Sequence, residues 1–428
     1  MLARSQIEKV FLRYYTTSTF AQKAKFKVGA EETIGSKLDS LVSKFGYSNA
    51  ISIPDSDNFT LNYIDLNRNV KGLASGFVEG NNKVSDVVLT NVPQGLEHVI
   101  INLASSSAGL QFASVNPEFT FEQIGPVLKS SNAKTLIIGD NNQRVMVDEA
   151  IEYFPELQSI YNCEYFKDNR FPSLKHIVST GRSQQPGISL IRDINIDTNL
   201  LKKRDIKSSQ LANIAQLSDG KFIGYTQNQL LNAAESLAEF LNIKPNERLS
   251  LFVPLFQGNA FVLHFAHLIS GAMTALCVES NSTNILNSIT QDKCTSLYVS
   301  QKSLDDLVNS SEFSKADLSS LKKLYIEGDA NPSSIKLLQD KTKCSVSIIH
   351  FVPNVPGQLS GVVFDTSSVG RVLPGVEVKI VDQKGNTVQQ GTSGKVLTKG
   401  HHLNNNVSGE WLDTTITATM NKDGTIQL

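Results

Sequence analysis

The chain has 428 residues, is 40% hydrophobic and carries 40 basic against 41 acidic side chains, a net charge of −1. That length buries a sizeable core and allows two or three domains, and the composition excludes a disordered chain. The balanced charge excludes the overall basic surface that draws nucleic acid or an anionic membrane.

The N-terminal residues 1–27 differ from the rest. Arg4, Lys9, Arg13, Lys23, Lys25 and Lys27 stand against the single acid Glu8, and Thr16 to Thr19 is rich in hydroxyls. This composition predicts a mitochondrial targeting or docking segment, with RYYTTS at 13–18 as a processing site; the plainer alternative is a basic surface helix.

From Tyr63, Leu66, Val70, Leu73 and Phe77 recur at helical spacing. An apolar strand, VVLTNVP, follows and ends at Pro93; the next helix stops at Gly109 and leads into a short strand. Ser179 to Arg182 reads as a loop, with no Ser, His, Asp set suggested by spacing. From Tyr225 the order repeats: a helix with Leu230, Ala233, Leu237 and Phe240, a strand LSLFVP ending at Pro254, a helix stopping at Gly271 and another strand. Tyr63 and Tyr225, Pro93 and Pro254, and Gly109 and Gly271 are separated by nearly one offset. The duplication predicts an α/β fold of two lobes with mostly parallel sheets and right-handed crossovers.

The apolar run from Ala260 to Val278 is interrupted by His264, His267, Ser270 and Gly271, which suits a buried helix and not a membrane span. His264 and His267 share a helix face, but Phe261, Phe265 and Leu268 around them point to core histidines more than to a metal site. The adjacent His401 and His402 make a poor chelate. Cys163, Cys277, Cys294 and Cys344 are widely separated, form no CxxC, and read as reduced structural thiols.

After Val352 the chain turns to short strands and glycine-rich turns: SGVVF, VEVKIVD, GKVLTKG and GTIQL. Leu373-Pro374-Gly375 is a turn, and Val376, Val378 and Ile380 alternate with polar neighbours. A small β-barrel-like subdomain is predicted here. The expected divisions are 1–27, a first lobe at 28–205, a second lobe at 206–352 and the barrel-like subdomain at 353–428.

FTLNYIDLNRNVKGLASGF, LNAAESLAEFLNIKPNERLSLFVPLFQ, IEGDANPSSIKLL at 326–338 and SVGRVLPGVEVKIVD resemble segments of the adenylate-forming ligases, the superfamily that includes acyl-CoA synthetases. The resemblance runs from about residue 55 to the end. It implies a scaffold on which a carboxylate is joined to AMP from ATP and the acyl group is passed to a thiol. It also implies a glycine-rich phosphate loop, a glutamate for magnesium, a ribose-binding aspartate and a C-terminal lid carrying a lysine.

At the matching positions the residue types differ. The phosphate loop falls on NIAQLSDGK, Asn213 to Lys221, where Gln216 and Ser218 replace loop residues and only Lys221 survives in type. Gln257 stands at the family's histidine, Val355 at the metal-binding acid and Ile416 at the ribose aspartate. The lid is expected to be absent, because the family's hinge would begin after Leu428. Asp329 reads as a helix cap or a cleft residue, and Asn404, Asn405 and Asn406 as a turn.

The resulting expectation is a non-catalytic acyl-CoA-synthetase-like pseudoenzyme, a structural accessory subunit of a mitochondrial assembly such as a respiratory-chain complex or ATP synthase. No catalytic residue, cofactor or metal is expected. Its partners would be other protein subunits, its location the matrix or the matrix side of the inner membrane. The alternatives are a ligand-binding protein that keeps the acyl or nucleotide cleft, and an atypical AMP-forming acyl-CoA ligase whose lid is on another chain.

Overall fold

The structure of the chain, a computed structural model, describes residues 17–54, 59–140, 144–160, 165–196, 199–277, 279–328, 331–353, 355–403 and 410–428. Residues 1–16 of the basic segment, Cys163, Asp329 and Asn404 to Asn406 lie outside the described residues.

The chain opens with β1 (Thr19–Ala21), α1 (Ile34–Phe45) and the hairpin β2 (Asn49–Ile53) and β3 (Phe59–Asn62). The first repeat comprises α2 (Tyr63–Glu79), β4 (Val87–Thr90), α3 (Leu96–Ser107) and β5 (Gln111–Ser114). It continues through α4 (Phe121–Ser130), β6 (Thr135–Ile138), α5 (Met146–Tyr153), β7 (His176–Ser179), β8 (Ile188–Leu190), and the hairpin β9 (Leu211–Gln216) and β10 (Phe222–Thr226). The second repeat is α6 (Gln227–Leu241), β11 (Arg248–Leu251), α7 (Asn259–Ile269), β12 (Met273–Leu276), α8 (Ser282–Gln291), β13 (Ser296–Ser300), α9 (Gln301–Val308), β14 (Lys323–Glu327), α10 (Pro332–Thr342) and β15 (Ser345–Phe351). Six strands follow: β16 (Leu359–Phe364), β17 (Val369–Val372), β18 (Val376–Val381), β19 (Gly394–Gly400), β20 (Leu412–Met420) and β21 (Ile426–Gln427).

The helix starts follow from local chemistry. Asn62 Oδ1 accepts the Asp65 N–H at 2.8 Å to cap α2, and Thr226 with Gln229 closes a capping box on α6. Leu66, Val70, Leu73 and Phe77 are buried on one face, as are Leu230, Ala233 and Leu237. The repeats are bound to each other: the Tyr63 hydroxyl lies 2.8 Å from the carbonyls of both Leu268 and Ala272, at the end of α7. Tyr63 therefore closes the end of the other repeat's helix.

Among the described residues the strands form two sheets. The smaller runs β10-β9-β5-β4-β6-β7-β8, and the second repeat's strands in the larger run β12-β11-β13-β14-β15, all parallel. The order 5-4-6-7-8 in one and 12-11-13-14-15 in the other is the same topology, so the sequence repeat is a structural one. In each, the chain steps to one side of its first strand and then crosses to the other, which opens a crevice beyond the strands' carboxyl ends.

Sheet membership departs from the expected divisions. β2 and β3 belong to the larger sheet through β2 and β12, although they precede the first repeat. β9 and β10 extend the smaller sheet through β5, although they lie beyond residue 205.

The expected barrel-like subdomain is an open continuation of the larger sheet, β16-β17-β21-β20-β19-β18-β1, and no closed barrel forms among the described residues. The physical reason is β1: it pairs antiparallel with β18 and takes the edge that ring closure would need. Residues 17–27 of the basic segment are thus part of the fold. The Lys25 and Phe26 N–H groups also donate to the Glu239 carboxylate, at 2.8 and 3.0 Å.

Candidate functional site

The carboxyl ends of both parallel sheets meet. Gln94, just after β4, donates from Nε2 to the carbonyls of Leu251 and Cys277 at 3.0 Å and accepts the Leu255 N–H at 3.2 Å. Ser114 Oγ, at the end of β5, donates to the Phe256 carbonyl at 3.1 Å. Beside these bridges lies a crevice of about 660 Å³ between the lobes, with Ser114, Asn116, Gln216, Gln257, Asn259 and Glu327 among its polar lining and Phe119, Phe256, Phe351 and Val355 among its apolar lining.

At its floor, Asn259 Nδ2 donates to Glu327 Oε1 at 2.6 Å and the buried Tyr298 hydroxyl donates to Oε2 at 3.3 Å. Burial raises the Glu327 carboxyl above its ordinary 4.5, against the opposing pull of these two donors. Asn259 Oδ1 also accepts the Gly357 N–H at 2.7 Å, so one amide ties β14 to the loop after β15. Gly258 and Gly357 let the start of α7 touch that loop. A Cβ on Gly258 would lie 3.2 Å from Gly357 N, and Gly258 has φ of 80°.

Of the positions singled out in the sequence, Gln216, Gln257 and Val355 line the crevice, whereas Ser218, Lys221 and Ile416 are not among its lining residues. Gln216 ends β9 and donates from Nε2 to Gly220 O at 3.2 Å and Ser130 Oγ at 3.3 Å. Ser218 and Lys221 belong to a tight exposed turn between β9 and β10, closed by Leu217 N–H to Lys221 O at 2.7 Å and Gly220 N–H to Leu217 O at 2.9 Å. Asp219 accepts the Lys221 N–H at 3.0 Å and pairs with its ammonium at 3.1 Å. The turn thus uses the Leu217, Gly220 and Lys221 N–H groups internally and carries an acid, which leaves fewer N–H groups to cradle a phosphate.

Val355 packs on the core, its N–H bonded to Val352 O at 3.1 Å. Ile416 packs on the core from an irregular stretch of β20, beside Thr415 at φ of 63°. Glu327 is the one carboxylate on the crevice lining among the described residues, and Asn259 and Tyr298 already engage it, so the lining does not fit a protein-bound magnesium ion.

His264 and His267 are fully buried, with Nδ1 contacts of 3.0 Å to Thr274 Oγ1 and 2.9 Å to Leu263 O. Burial holds them down to about 3 and about 4. They are neutral core groups, and no set of three His, Cys, Asp or Glu able to hold a metal occurs among the described residues. His402 is buried while His401 is exposed, so the adjacent pair points apart. Cys277, Cys294 and Cys344 are buried. Among the described residues no helix is long and apolar enough to cross a membrane.

Sequence reasoning passed over Glu327, Asn259 and Gln94. The signal for Glu327 was an acid directly after the apolar run Leu324 to Ile326, at the ligand-facing end of a parallel strand. Gln94 and Asn259 each follow one of the matched strands, but nothing local marks their partners.

Two lobes with a polar-floored crevice at the carboxyl ends of their strands define an α/β scaffold built around a ligand site. The chain belongs to the AMP-binding enzyme family, whose model matches residues 43–406. It is 24% identical over 413 residues to the mitochondrial medium-chain acyl-CoA ligase ACSF2 of Mus musculus, covering 89% of this chain and 65% of the relative. The Homo sapiens protein of the same name is 22% identical over 439 residues, with 92% and 70% covered. Among solved structures, the luciferase-like enzyme from the nonluminescent mealworm Zophobas morio superposes with a TM-score of 0.78 at 16% identity, covering 96% of this chain and 98% of that one. A long-chain-fatty-acid-CoA ligase, FadD1, from Archaeoglobus fulgidus superposes at 0.75 and 16% identity, covering 95% and 86%. The structural likenesses show the fold.

The expectation of a non-catalytic pseudoenzyme acting as an accessory subunit does not stand. The family is one of enzymes and the relatives are named as ligases; nothing among them points to a respiratory-chain complex or ATP synthase. The altered positions make up only part of the site: Gln216, Gln257 and Val355 line the crevice. Ser218, Lys221 and Ile416 lie off the crevice lining, and the crevice floor is built from Glu327, Asn259 and Tyr298.

Proposed function

We propose that the protein is an atypical AMP-forming acyl-CoA ligase. The observation that carries the reading is the interlobe crevice, with the Asn259, Glu327 and Tyr298 network at its floor. In the first half-reaction a carboxylate oxygen of the acid attacks the α-phosphorus of ATP, the bond to the β-phosphate oxygen breaks, and pyrophosphate leaves. In the second, the thiol sulfur of CoA attacks the acyl carbon, AMP departs with the former carboxylate oxygen, and the thiol proton passes to solvent.

The chain's own residues bind and orient. Ser114, Asn116, Gln216 and Gln257 offer polar contacts along the walls, and Phe119, Phe256 and Val355 exclude water from the apolar side. Because three N–H groups of the turn at 217–221 are bonded within it, affinity comes from the acyl-adenylate more than from the triphosphate. The chain spans 65% and 70% of the two ACSF2 relatives, and the reading assigns the closing lid to polypeptide outside the spanned stretch, on this or a separate chain.

The proposed location is the mitochondrion, on the matrix side, supported by the basic residues 1–16 and by the relatives' printed names. Since β1 is paired with β18, any removal of a leader falls before Thr17, a point that N-terminal mapping of the imported chain checks.

Carboxylate-dependent exchange of labelled pyrophosphate into ATP tests the reading, with a panel of acids and hydroxylamine as acyl trap. A non-hydrolysable acyl-adenylate is expected to raise the melting temperature more than ATP. No exchange with any acid, together with no binding of the acyl-adenylate, overturns it.

A further inference from the structure

A second, smaller pocket abuts the crevice and shares Ser114, Ala215, Phe256 and Pro356 with its wall. Phe112, Leu230, Leu255, Phe261 and Val262 make most of it apolar. Two amides break that lining: Asn102 from α3 and Asn213 from β9. Asn102 is 1% exposed. The side-chain oxygens of both are buried and accept no hydrogen bond from the described residues. A buried acceptor left unpaired is costly and uncommon in folded proteins, and here two belong to residues that line one pocket.

The pocket's size limits what can meet them. It holds about 40 Å³, room for two or three groups the size of a water molecule, and an unbranched tail of several methylenes exceeds it. Charge limits it further. No carboxylate is among its lining residues, and an ammonium would be stripped of water with no counter-charge. A neutral donor fits, and a hydroxyl brings one proton that either amide oxygen can accept.

We propose that this pocket receives the far end of the acyl group and selects a short, hydroxyl-tipped carboxylic acid through Asn102 and Asn213. The inference rests on the ligase reading above, with the carboxylate of the acid in the crevice and its hydroxyl in the side pocket. Asn102 and Asn213 are specificity residues, distinct from the groups on the crevice floor.

The test uses acyl-sulfamoyl adenosines, which share one nucleotide end and differ only in the tail. The 4-hydroxybutanoyl compound is compared with the isosteric pentanoyl compound on the full chain by calorimetry. The hydroxyl tail is expected to bind about ten- to a hundred-fold tighter, because a methyl leaves the amide oxygens unpaired. Asn102→Leu, an isosteric change, is expected to abolish or invert that preference. It is also expected to leave the melting temperature of the free protein equal or higher, since an unpaired buried acceptor is removed. If Asn102→Leu does not fold, Asn213→Leu carries the same comparison. Equal or tighter binding of the pentanoyl compound overturns the inference and leaves the ligase reading standing. Failure of every analogue to bind overturns the ligase reading, and the inference with it.

Discussion

Asn259→Ala removes a side chain that joins the crevice floor to the loop at Gly357. Two hydrogen bonds are lost, the 2.6 Å bond to the Glu327 carboxylate and the 2.7 Å bond from the Gly357 N–H. A bond to a charged group contributes about 1.5–3 kcal/mol and a neutral one about 0.5–1.5 kcal/mol. Asn259 and Glu327 are both half-buried, so water partly replaces the lost partner, and the expected cost near neutral pH is about 2–3 kcal/mol. Urea unfolding reads it as a lower midpoint at unchanged slope. Glu327 is itself raised above 4.5 by burial, so its contribution to stability is greatest below that value and is lost as pH rises through its folded pKa. Removing Asn259 raises it further. The cost of Asn259→Ala is therefore largest at neutral pH and shrinks on acidification toward the ordinary carboxylate range. In a double-mutant cycle with Glu327→Gln the two changes are expected to couple by about 1 kcal/mol or more. A loss under about 0.5 kcal/mol, or no coupling, refutes the network as the crevice's organising contact.

Gly258→Ala forces a side chain into φ of 80° and against Gly357 N; a loss of about 1–3 kcal/mol and weaker acyl-adenylate binding are expected by unfolding and calorimetry. Gln94→Ala removes three hydrogen bonds between the lobes and is expected to cost about 2–3 kcal/mol, read from the urea midpoint. His98, His264 and His267 are held by burial to about 4, about 3 and about 4. The stability they permit is present above their unfolded value of 6.5 and is lost as pH falls from there toward 4, at about 1.4 kcal/mol per pH unit each; His264→Gln should reduce the acid slope by that amount, and an unchanged slope refutes it. Thr415→Gly, at an exposed position with φ of 63°, is expected to raise stability by about 1 kcal/mol.

The repeat was legible because it is written in local signals. Tyr63 and Tyr225, Pro93 and Pro254, and Gly109 and Gly271 mark strand and helix ends that depend on neighbours a few residues away. What decided sheet membership was not local. Ile51 pairs with Thr274 and Asn213 with Phe112, and no spacing rule connects such positions. β1 was hidden for a different reason. Thr19, Phe20 and Ala21 sit inside a basic, hydroxyl-rich stretch whose composition suits a leader, while their backbone completes the edge of β18. At the site, motif positions were readable but their geometry was not. Ile416 could be named from Trp411 and Gly424, yet only the folded chain shows it on the core and off the crevice lining, and only there does Glu327 meet Asn259 and Tyr298.

The placement of β2 and β3 in the larger sheet bears on how the molecule is made. Ile51 and Ser52 find their sheet partners at Thr274 and Ala275, and a ribosome adding roughly 5–20 residues per second needs roughly 10–40 s to reach them. For that interval the first hairpin has only itself to pair with, too little for stability in water. The smaller sheet, β4 to β10, is complete once Thr226 has been added, whereas the larger one joins strands from both ends of the chain. A chain cut between the repeats would leave β2 and β3 without β12 and Tyr63 without α7, so the two halves are duplicated in form but share parts.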